Sequence, residues 1–301
     1  MSVEKLTLAL PGGLTIYVER HGTHEERDCV MLVTGPLQST GSVAATIRCL
    51  LERYNVVCYD PPCTSASHGM NERARVPLLS WHDEVEVLSH LIGRFEPDFL
   101  YSMSWGGFAA LPALSYGTTK IRRAVIGSFS PFVNDALLDF LIRVREATLA
   151  EQGARAAQLV NCTLGAHLSP MAKRLNRRYL LGMSKPERVQ IASYIGQILV
   201  QRPGAFVHHL NRIRCRVKFM NGALDDYATV EDGRTMARFI PNAQWEQLPA
   251  AGHYLNLEGA AQSVAWRAGM FDFLGTPTSP AANHLSGKEA DETTHSRNAG
   301  V

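Results

Sequence analysis

A serine set among small residues is the clearest chemical signal in this sequence. Residues 99–108 read Phe-Leu-Tyr-Ser-Met-Ser-Trp-Gly-Gly-Phe, an apolar run that stops near Ser104 and passes directly into a helical pattern. Strand, tight turn and helix in this order predict a nucleophile elbow with Ser104 at its tip. Backbone N–H groups at the start of the helix would stabilise negative charge that develops beside the serine. We therefore predict Ser104 as the nucleophile and the N–H of Trp105 as an oxyanion-hole donor.

The elbow departs from the usual Gly-x-Ser-x-Gly pattern at one position. Ser102 occupies the first glycine position, and Gly106 keeps the second. Serine is small enough for the crowded site two residues before a nucleophile, so the departure weakens the signal without removing it. A different interpretation is that Ser104 only caps the following helix, a position at which serine is common.

An acid and a histidine follow downstream, each just after a predicted strand. The apolar run 217–222 precedes Asp225 and Asp226, and the run 245–248 precedes His253. Open α/β sheets build their sites at the carboxyl ends of strands, and α/β-hydrolases carry a triad in the order Ser, Asp, His. We predict His253 as the base and Asp225 as the acid that orients it. Asp226 stays the alternative acid, because one of the two is expected to serve only the turn.

The second donor of the oxyanion hole is harder to assign. Hydrolases usually draw it from the residue after an early strand-end turn, which here is Thr34-Gly35. Pro36 follows that turn, and proline has no N–H to donate. We predict the N–H of Leu37 as the second donor, with the side chain of Gln38 as the alternative.

Length and composition agree with one large enzyme domain. The chain has 301 residues, 46% hydrophobic and 19% charged, with a net charge of +2 that argues against a dedicated nucleic-acid binder. No apolar run reaches the ~18 residues of a membrane span, and the first residues lack a signal-peptide pattern. The six cysteines show no metal-binding spacing. We expect a cytoplasmic protein with free thiols and neither metal nor cofactor.

Strands and helices alternate through most of the chain, which predicts an α/β fold with a mostly parallel twisted sheet and helices on both faces. The predicted core spans residues 1–130 and 206–275, and the polar segment 276–301 is predicted to be a disordered tail. The predicted strands before the insertion are Lys5–Leu10, Leu14–Arg20, Cys29–Val33, Asn55–Tyr59, Phe99–Met103 and Arg123–Ser128, with helices over Ser42–Arg53 and Trp81–Arg94.

Residues 131–205 break the alternation, because they show helical patterns without strands. Such an insertion would lie over the site as a cap. Its apolar residues either pack on the core or line an acyl-chain pocket. They are Leu137, Leu138, Phe140, Leu141, Ile191, Tyr194, Ile195, Ile198 and Leu199. The predicted cap helices are Ala136–Ala150, Arg155–Leu164, Met171–Met183 and Glu187–Gln201.

The cap carries an excess of positive charge. It holds ten Lys or Arg against five Asp or Glu. Lys173, Arg174, Arg177 and Arg178 fall on one short helical stretch. Such a face is often only solvated. Alternatively, it steers an acidic carrier protein or the phosphates of coenzyme A towards the site.

Six blocks of the sequence resemble the acyltransferases of rhamnolipid biosynthesis, a group within the α/β-hydrolase superfamily. The resemblance covers roughly residues 5–275 and includes Trp-Gly-Gly directly after the serine. The blocks are Leu32–Leu37, Tyr59–Pro62, His82–Leu88, Ser102–Gly107, Asn221–Tyr227 and Gly252–Glu258.

The resemblance implies a specific reaction. These enzymes join two 3-hydroxyacyl groups into a 3-(3-hydroxyalkanoyloxy)alkanoic acid, the lipid precursor of the biosurfactant. It implies a triad of Ser104, Asp225 and His253, thioester substrates on acyl carrier protein or coenzyme A, and a downstream rhamnosyltransferase as a candidate partner. Two alternatives stay open: a serine esterase or thioesterase with the same triad, and a catalytically silent binding module.

Overall fold

An eight-stranded sheet organises the computed structural model, which describes residues 2–22, 24–35, 38–73, 78–116, 120–201 and 206–275. Its strands are β1 (Val3–Ala9), β2 (Thr15–His21), β3 (Cys29–Val33), β4 (Asn55–Tyr59), β5 (Phe99–Met103), β6 (Arg123–Gly127), β7 (Arg216–Gly222) and β8 (Ala243–Leu248). The spatial order is β1-β2-β4-β3-β5-β6-β7-β8. β2 runs antiparallel to β1 and β4, and the six strands β3 to β8 are mutually parallel.

Ten helices are described around this sheet. They are α1 (Ala44–Leu50), α2 (Ser65–Arg73), α3 (Trp81–Phe95), α4 (Gly106–Tyr116), α5 (Asp135–Leu149), α6 (Gly153–Cys162), α7 (Pro170–Gly182), α8 (Lys185–Val200), α9 (Val230–Ala237) and α10 (Ala260–Leu274). Short 3₁₀ turns cover Pro11–Gly13 and Leu210–Arg212.

Both faces of the sheet are buried. Because side chains alternate along a strand, Val30 of β3 packs with α1 and α10, and Met31 packs with α3 and α4 on the opposite face. The same alternation places Val125 and Ile126 of β6 on opposite faces. A mostly parallel sheet covered on both faces was predicted from the sequence, and the structure confirms it.

Most predicted elements match the structure to within about two residues, but two helices have no predicted counterpart. In α2 the sequence is Ser-Ala-Ser-His-Gly-Met-Asn-Glu-Arg, which has no apolar stripe to indicate a helix. Its start is instead held by Asp60, whose carboxylate accepts from the N–H of Ala66 at 3.1 Å. In α9 a capping box joins Thr229 and Asp232, a signal that the sequence does contain. The helix α1 is shorter than the predicted Ser42–Arg53.

Between β6 and β7 the described residues form helices α5 to α8 and no strand. Side-chain caps begin three of them: Asn134 accepts from the N–H of Leu137, Ser169 begins α7, and Ser184 begins α8. These helices pack into the same apolar cluster as α3 and α4. The division into core, cap and tail stays a prediction, and the predicted tail lies outside the described residues.

Candidate active site

The turn between β5 and α4 holds Ser104 in an unusual backbone conformation. Its φ is +51°, in the left-handed region that non-glycine residues seldom adopt. The N–H of Ser104 donates to the carbonyl of Gly127 at 2.8 Å, which ties the turn to the end of β6. Strain of this kind is typical of functional turns and fits the predicted elbow.

Close packing beneath the turn explains the glycine of the motif. A Cβ at Gly106 would lie 2.9 Å from both Oγ of Ser102 and the carbonyl oxygen of Val33. A side chain at residue 106 would therefore push the turn away from β3. Ser102 is fully buried beside this glycine. Serine therefore fits at the position where glycine is usual.

The structure brings Ser104, His253 and Asp225 into one hydrogen-bonded line. Nε2 of His253 lies 2.8 Å from Oγ of Ser104, and Nδ1 lies 2.8 Å from Oδ2 of Asp225. The other carboxylate oxygen of Asp225 accepts from the N–H groups of Tyr227 at 3.0 Å and Ala228 at 3.1 Å. The carboxylate is fully buried, and these charge-assisted bonds compensate its lost hydration. The arrangement can pass the serine proton to the histidine.

Asp226 does not join this line. It is exposed, and its backbone carbonyl accepts from the side chain of Asn134 at 3.0 Å. The turn that directs Asp225 inwards is closed by a bond from its own N–H to the carbonyl of Gly222 at 3.2 Å. Of the two candidate acids, Asp225 therefore faces His253.

Two further residues hold the histidine loop, and sequence reasoning gave neither a role. Oγ of Ser128 donates to the carbonyl of His253 at 2.7 Å. The carboxylate of Glu258 accepts from the N–H groups of Gly252 and Tyr254 on either side of that histidine. A signal for Ser128 was present, because it follows directly after β6 at the same sheet edge as the other site residues.

The oxyanion hole is described on one side only. Trp105 lines the cavity next to Ser104, and its N–H belongs to the start of α4, where backbone donors lack helical partners. The predicted second donor, Leu37, and its neighbour Pro36 lie outside the described residues. The alternative, Gln38, lines the cavity, and its side-chain oxygen accepts from the N–H of Gly35 at 3.3 Å.

Ser104 and His253 open into a cavity of about 650 Å³ between the sheet and the helices α5 to α8. Of the nine apolar residues singled out in the sequence, three do not line it: Leu138 is 40% exposed, Tyr194 packs against Trp105, and Leu199 packs on the core. An apolar cavity of this size suits an acyl chain. The six that line it are Leu137, Phe140, Leu141, Ile191, Ile195 and Ile198.

A buried acid lies behind Trp105. Burial raises the pKa of the Glu84 carboxyl on α3 to about 7, although the Tyr194 hydroxyl and the Trp105 indole N–H act in the opposite direction. These two groups and Oε1 of Glu84 are buried without a well-formed hydrogen bond among the described residues. The acid therefore links the serine turn to helix α8 through weak contacts.

Three possible metal ligands meet on the outer strands β2 and β4. The ligand atoms of Glu19, His21 and Cys58 lie within 4.8 Å of one another. The carboxylate of Glu19 is already bonded to Tyr17 and His21, at 2.7 and 2.8 Å. Burial raises the pKa of the Cys58 thiol well above its ordinary value, so the thiol stays protonated. Glu19 therefore forms a hydrogen-bonded set with Tyr17 and His21, separate from the site around Ser104, and all six cysteines are free.

Among the helices that the structure describes, none is long and apolar enough to cross a membrane.

Comparison with curated proteins finds relatives of one activity. The (R)-3-hydroxydecanoyl-ACP:CoA transacylase of Pseudomonas putida is 32% identical over 274 residues, which cover 91% of this chain and 92% of that protein. The protein of the same name from Pseudomonas aeruginosa is 34% identical over 267 residues, with coverage of 89% and 87%.

Solved structures and a family model agree on the fold. A hydrolase from Pseudomonas aeruginosa PA01 superposes with a TM-score of 0.71 at 20% identity, covering 90% of this chain and 98% of that one. The enol-lactonase of Burkholderia xenovorans LB400 gives 0.73 at 16% identity, with coverage of 89% and 99%. The model of the alpha/beta hydrolase family matches residues 39–266. The chain therefore belongs to the alpha/beta hydrolase family, which confirms the fold class and superfamily predicted from its sequence.

Proposed function

We propose that this chain is a serine-dependent acyltransferase. It moves a 3-hydroxyacyl group from a thioester of acyl carrier protein or coenzyme A to the 3-hydroxyl of a second such group, giving a 3-(3-hydroxyalkanoyloxy)alkanoic acid. The observation that carries the proposal is the hydrogen-bonded line of Ser104, His253 and Asp225 at an apolar cavity of about 650 Å³. The line supplies an activated nucleophile, and the cavity supplies room for acyl chains.

The first half-reaction acylates the serine. His253 takes the proton of Ser104 as Oγ attacks the thioester carbon, and Asp225 stabilises the imidazolium that forms. The N–H of Trp105 supports the negative charge on the carbonyl oxygen. The C–S bond breaks, the proton on His253 goes to the leaving thiolate, and an acyl-serine remains.

The second half-reaction moves the acyl group to a hydroxyl. His253 deprotonates the 3-hydroxyl of the second group, whose oxygen attacks the acyl-serine carbon. The bond to Oγ of Ser104 breaks, and the proton returns to that oxygen. Where the second group is itself a thioester, release of the acid consumes one water. Transfer exceeds hydrolysis only if the cap excludes water and orients the second chain.

A second candidate differs only in the acceptor. The relatives are named as transacylases that act between acyl carrier protein and coenzyme A, so the thiol of coenzyme A would accept the acyl group from the serine. Both reactions begin with the same acyl-serine, and both are acyl transfers, which agrees with the class of enzyme predicted from the sequence. A thioesterase would use water instead.

Product analysis separates these reactions. Purified enzyme is given a 3-hydroxyacyl carrier-protein thioester, with and without free coenzyme A, and the products are identified by mass spectrometry. We expect the ester dimer of two hydroxy acids, absent with Ser104→Ala. Acyl-coenzyme A as the sole product would favour the second candidate, and free monomeric acid alone would favour a thioesterase. A silent binding module predicts no serine-dependent product and no labelling of Ser104 by a fluorophosphonate probe.

A further inference from the structure

Helix α7 has two chemically different faces. Ala172, Asn176 and Tyr179 recur at helical spacing and line the cavity that contains Ser104. On the opposite face stand four cations, which we call the basic face: Lys173, Arg174, Arg177 and Arg178. One helix thus forms a wall of the acyl cavity on its inner side and a positively charged surface on its outer side.

The basic face is available for a partner. Arg174, Arg177 and Arg178 are exposed, and none of them forms an ion pair with another described residue. Lys173 donates to the backbone carbonyl of Ala166 at 2.7 Å, a bond that leaves its charge uncompensated. Unpaired like charges in adjacent helical turns repel one another, so the arrangement costs stability in the isolated protein.

The cavity opens beside this face. Leu175 and Leu257 line the cavity, yet they are 60% and 39% exposed, which places them at its mouth. On the helix, Arg174 directly precedes Leu175, and Arg178 lies three residues after it. An apolar rim flanked by cations therefore marks the entrance through which an acyl chain must pass.

We propose that the basic face docks the acidic surface of an acyl carrier protein, whose acylated arm then enters the cavity past Leu175 and Leu257. This inference rests on the proposed function, because it assumes that the acyl donor is a carrier-protein thioester. Opposite charges would raise the rate of encounter and orient the carrier, and salt would weaken both effects. The exposed leucine between the arginines adds a short-range apolar contact once the carrier is seated.

The test reverses charge on the basic face and at a matched control. Arg177→Glu with Arg178→Glu is compared with Arg212→Glu and Arg214→Glu, a pair just before β7 and therefore at the sheet edge opposite the site. Both controls are exposed, and both doubles change the net charge equally. Each protein receives the same 3-hydroxyacyl group on three donors: carrier protein, coenzyme A, and pantetheine, which has neither protein nor phosphate.

We expect the basic-face variant to lose at least ~10-fold in kcat/KM with the carrier-protein donor and to keep its activity with the pantetheine donor. The wild-type rate with the carrier should fall as salt rises, and the variant should show a weaker salt dependence. The control double should behave as wild type. Carrier binding to Ser104→Ala, measured by calorimetry, should weaken by a similar factor when the basic face is reversed.

Other results overturn the inference. Equal losses with carrier and pantetheine donors would show damage to the cavity, and a loss confined to coenzyme A would assign the face to its phosphates. Unchanged carrier binding would exclude docking here. Failure of the proposed function looks different, because the wild-type enzyme would then form no ester dimer from the pantetheine thioester, whereas the binding measurement reports on docking without turnover.

Discussion

The two sides of the cavity are built by different forces. On the sheet side, Ser104, His253 and Asp225 are fixed by hydrogen bonds of 2.8 Å and by the backbone around them. On the cap side, helices α5 to α8 present apolar side chains such as Leu141 and Ile195. Directional bonds fix the atoms that react, whereas the apolar wall sets only the shape and dryness of the space.

This difference separates the type of chemistry from the choice of acceptor. A serine activated by His253 forms the same acyl-enzyme in a hydrolase and in a transferase. Which acceptor then reaches the acyl carbon depends on what the cap admits and excludes. Changes on the sheet side should therefore remove activity altogether, and changes in the cap should alter which donors and acceptors are used.

The largest effect is expected at the serine and histidine. Ser104→Ala or His253→Ala should lower kcat/KM by ~10⁴-fold or more, and the double variant should lose little beyond either single one, since the residues act as a unit. Steady-state kinetics with a pantetheine thioester measure this. The thermal melt of Ser104→Ala should stay close to that of the wild type. Activity that survives in both single variants would contradict the proposed roles.

The two neighbouring aspartates offer a matched comparison. Asp225→Asn should reduce kcat by ~10³-fold, because the amide no longer holds His253 with its proton on Nδ1. Asp226→Asn should change kcat by less than about twofold, since that side chain is exposed. The opposite ranking would assign the acid to Asp226, the alternative that the sequence left open.

The sequence predicted the sheet side in detail and the cap side in outline, for a physical reason. Nucleophile, acid and base each follow a strand, so the topology of a parallel sheet places them at one edge. Their turns also leave local signals, such as the small residues around Ser104. A helix face in the cap carries no comparable signal. Tyr194 and Ile195 are adjacent apolar residues, yet only Ile195 lines the cavity.

Polar contacts between distant segments of the chain also could not be predicted from the sequence. Glu84 appeared as one acid among several on a predicted helix, and nothing local showed that it would be buried near Trp105 and Tyr194. The place of Ser128 directly after β6 was visible, but nothing local showed that its hydroxyl would bond the carbonyl of His253. Such pairings exist only once the chain has folded, because the partners are far apart in sequence.

The buried acid predicts a dependence of stability on pH. Its pKa is about 7 when folded and 4.5 in its ordinary state. The folded protein therefore keeps the proton of Glu84 over a range in which the unfolded chain loses it. The stabilisation of the folded state by this bound proton is fully present below pH ~4.5 and is lost as pH rises through about 7. The free energy of unfolding should fall by about 3 kcal/mol over this range.

Denaturant unfolding at several pH values measures this contribution. Glu84→Gln should be less sensitive to pH between about 5 and 8 than the wild type, since its side chain does not titrate. Glu86→Gln is the control, because Glu86 is exposed on the same helix. Identical pH profiles for the wild type and Glu84→Gln would show that this carboxyl keeps an ordinary pKa.

A smaller effect is expected from filling the cavity. Leu141→Phe adds volume to a residue that lines the cavity, so kcat/KM for long acyl donors should fall ~10-fold relative to short ones. Leu138→Phe on the same helix is the control, because Leu138 is 40% exposed. The ratio of long-chain to short-chain kcat/KM is the quantity to compare. An equal shift of this ratio in both variants would show that the cavity lining on the cap does not select the length of the acyl chain.

The most direct test of an acyl-serine with a hydroxyl acceptor is rapid-quench mass spectrometry of the intact enzyme. The enzyme is mixed with a 3-hydroxyacyl thioester, and the adduct is mapped by peptide analysis and then chased with a second 3-hydroxyacyl group. We predict one added acyl group on Ser104, which disappears faster with the acceptor than in buffer and yields the ester dimer. An adduct elsewhere, or decay at the same rate with and without acceptor, would contradict the account.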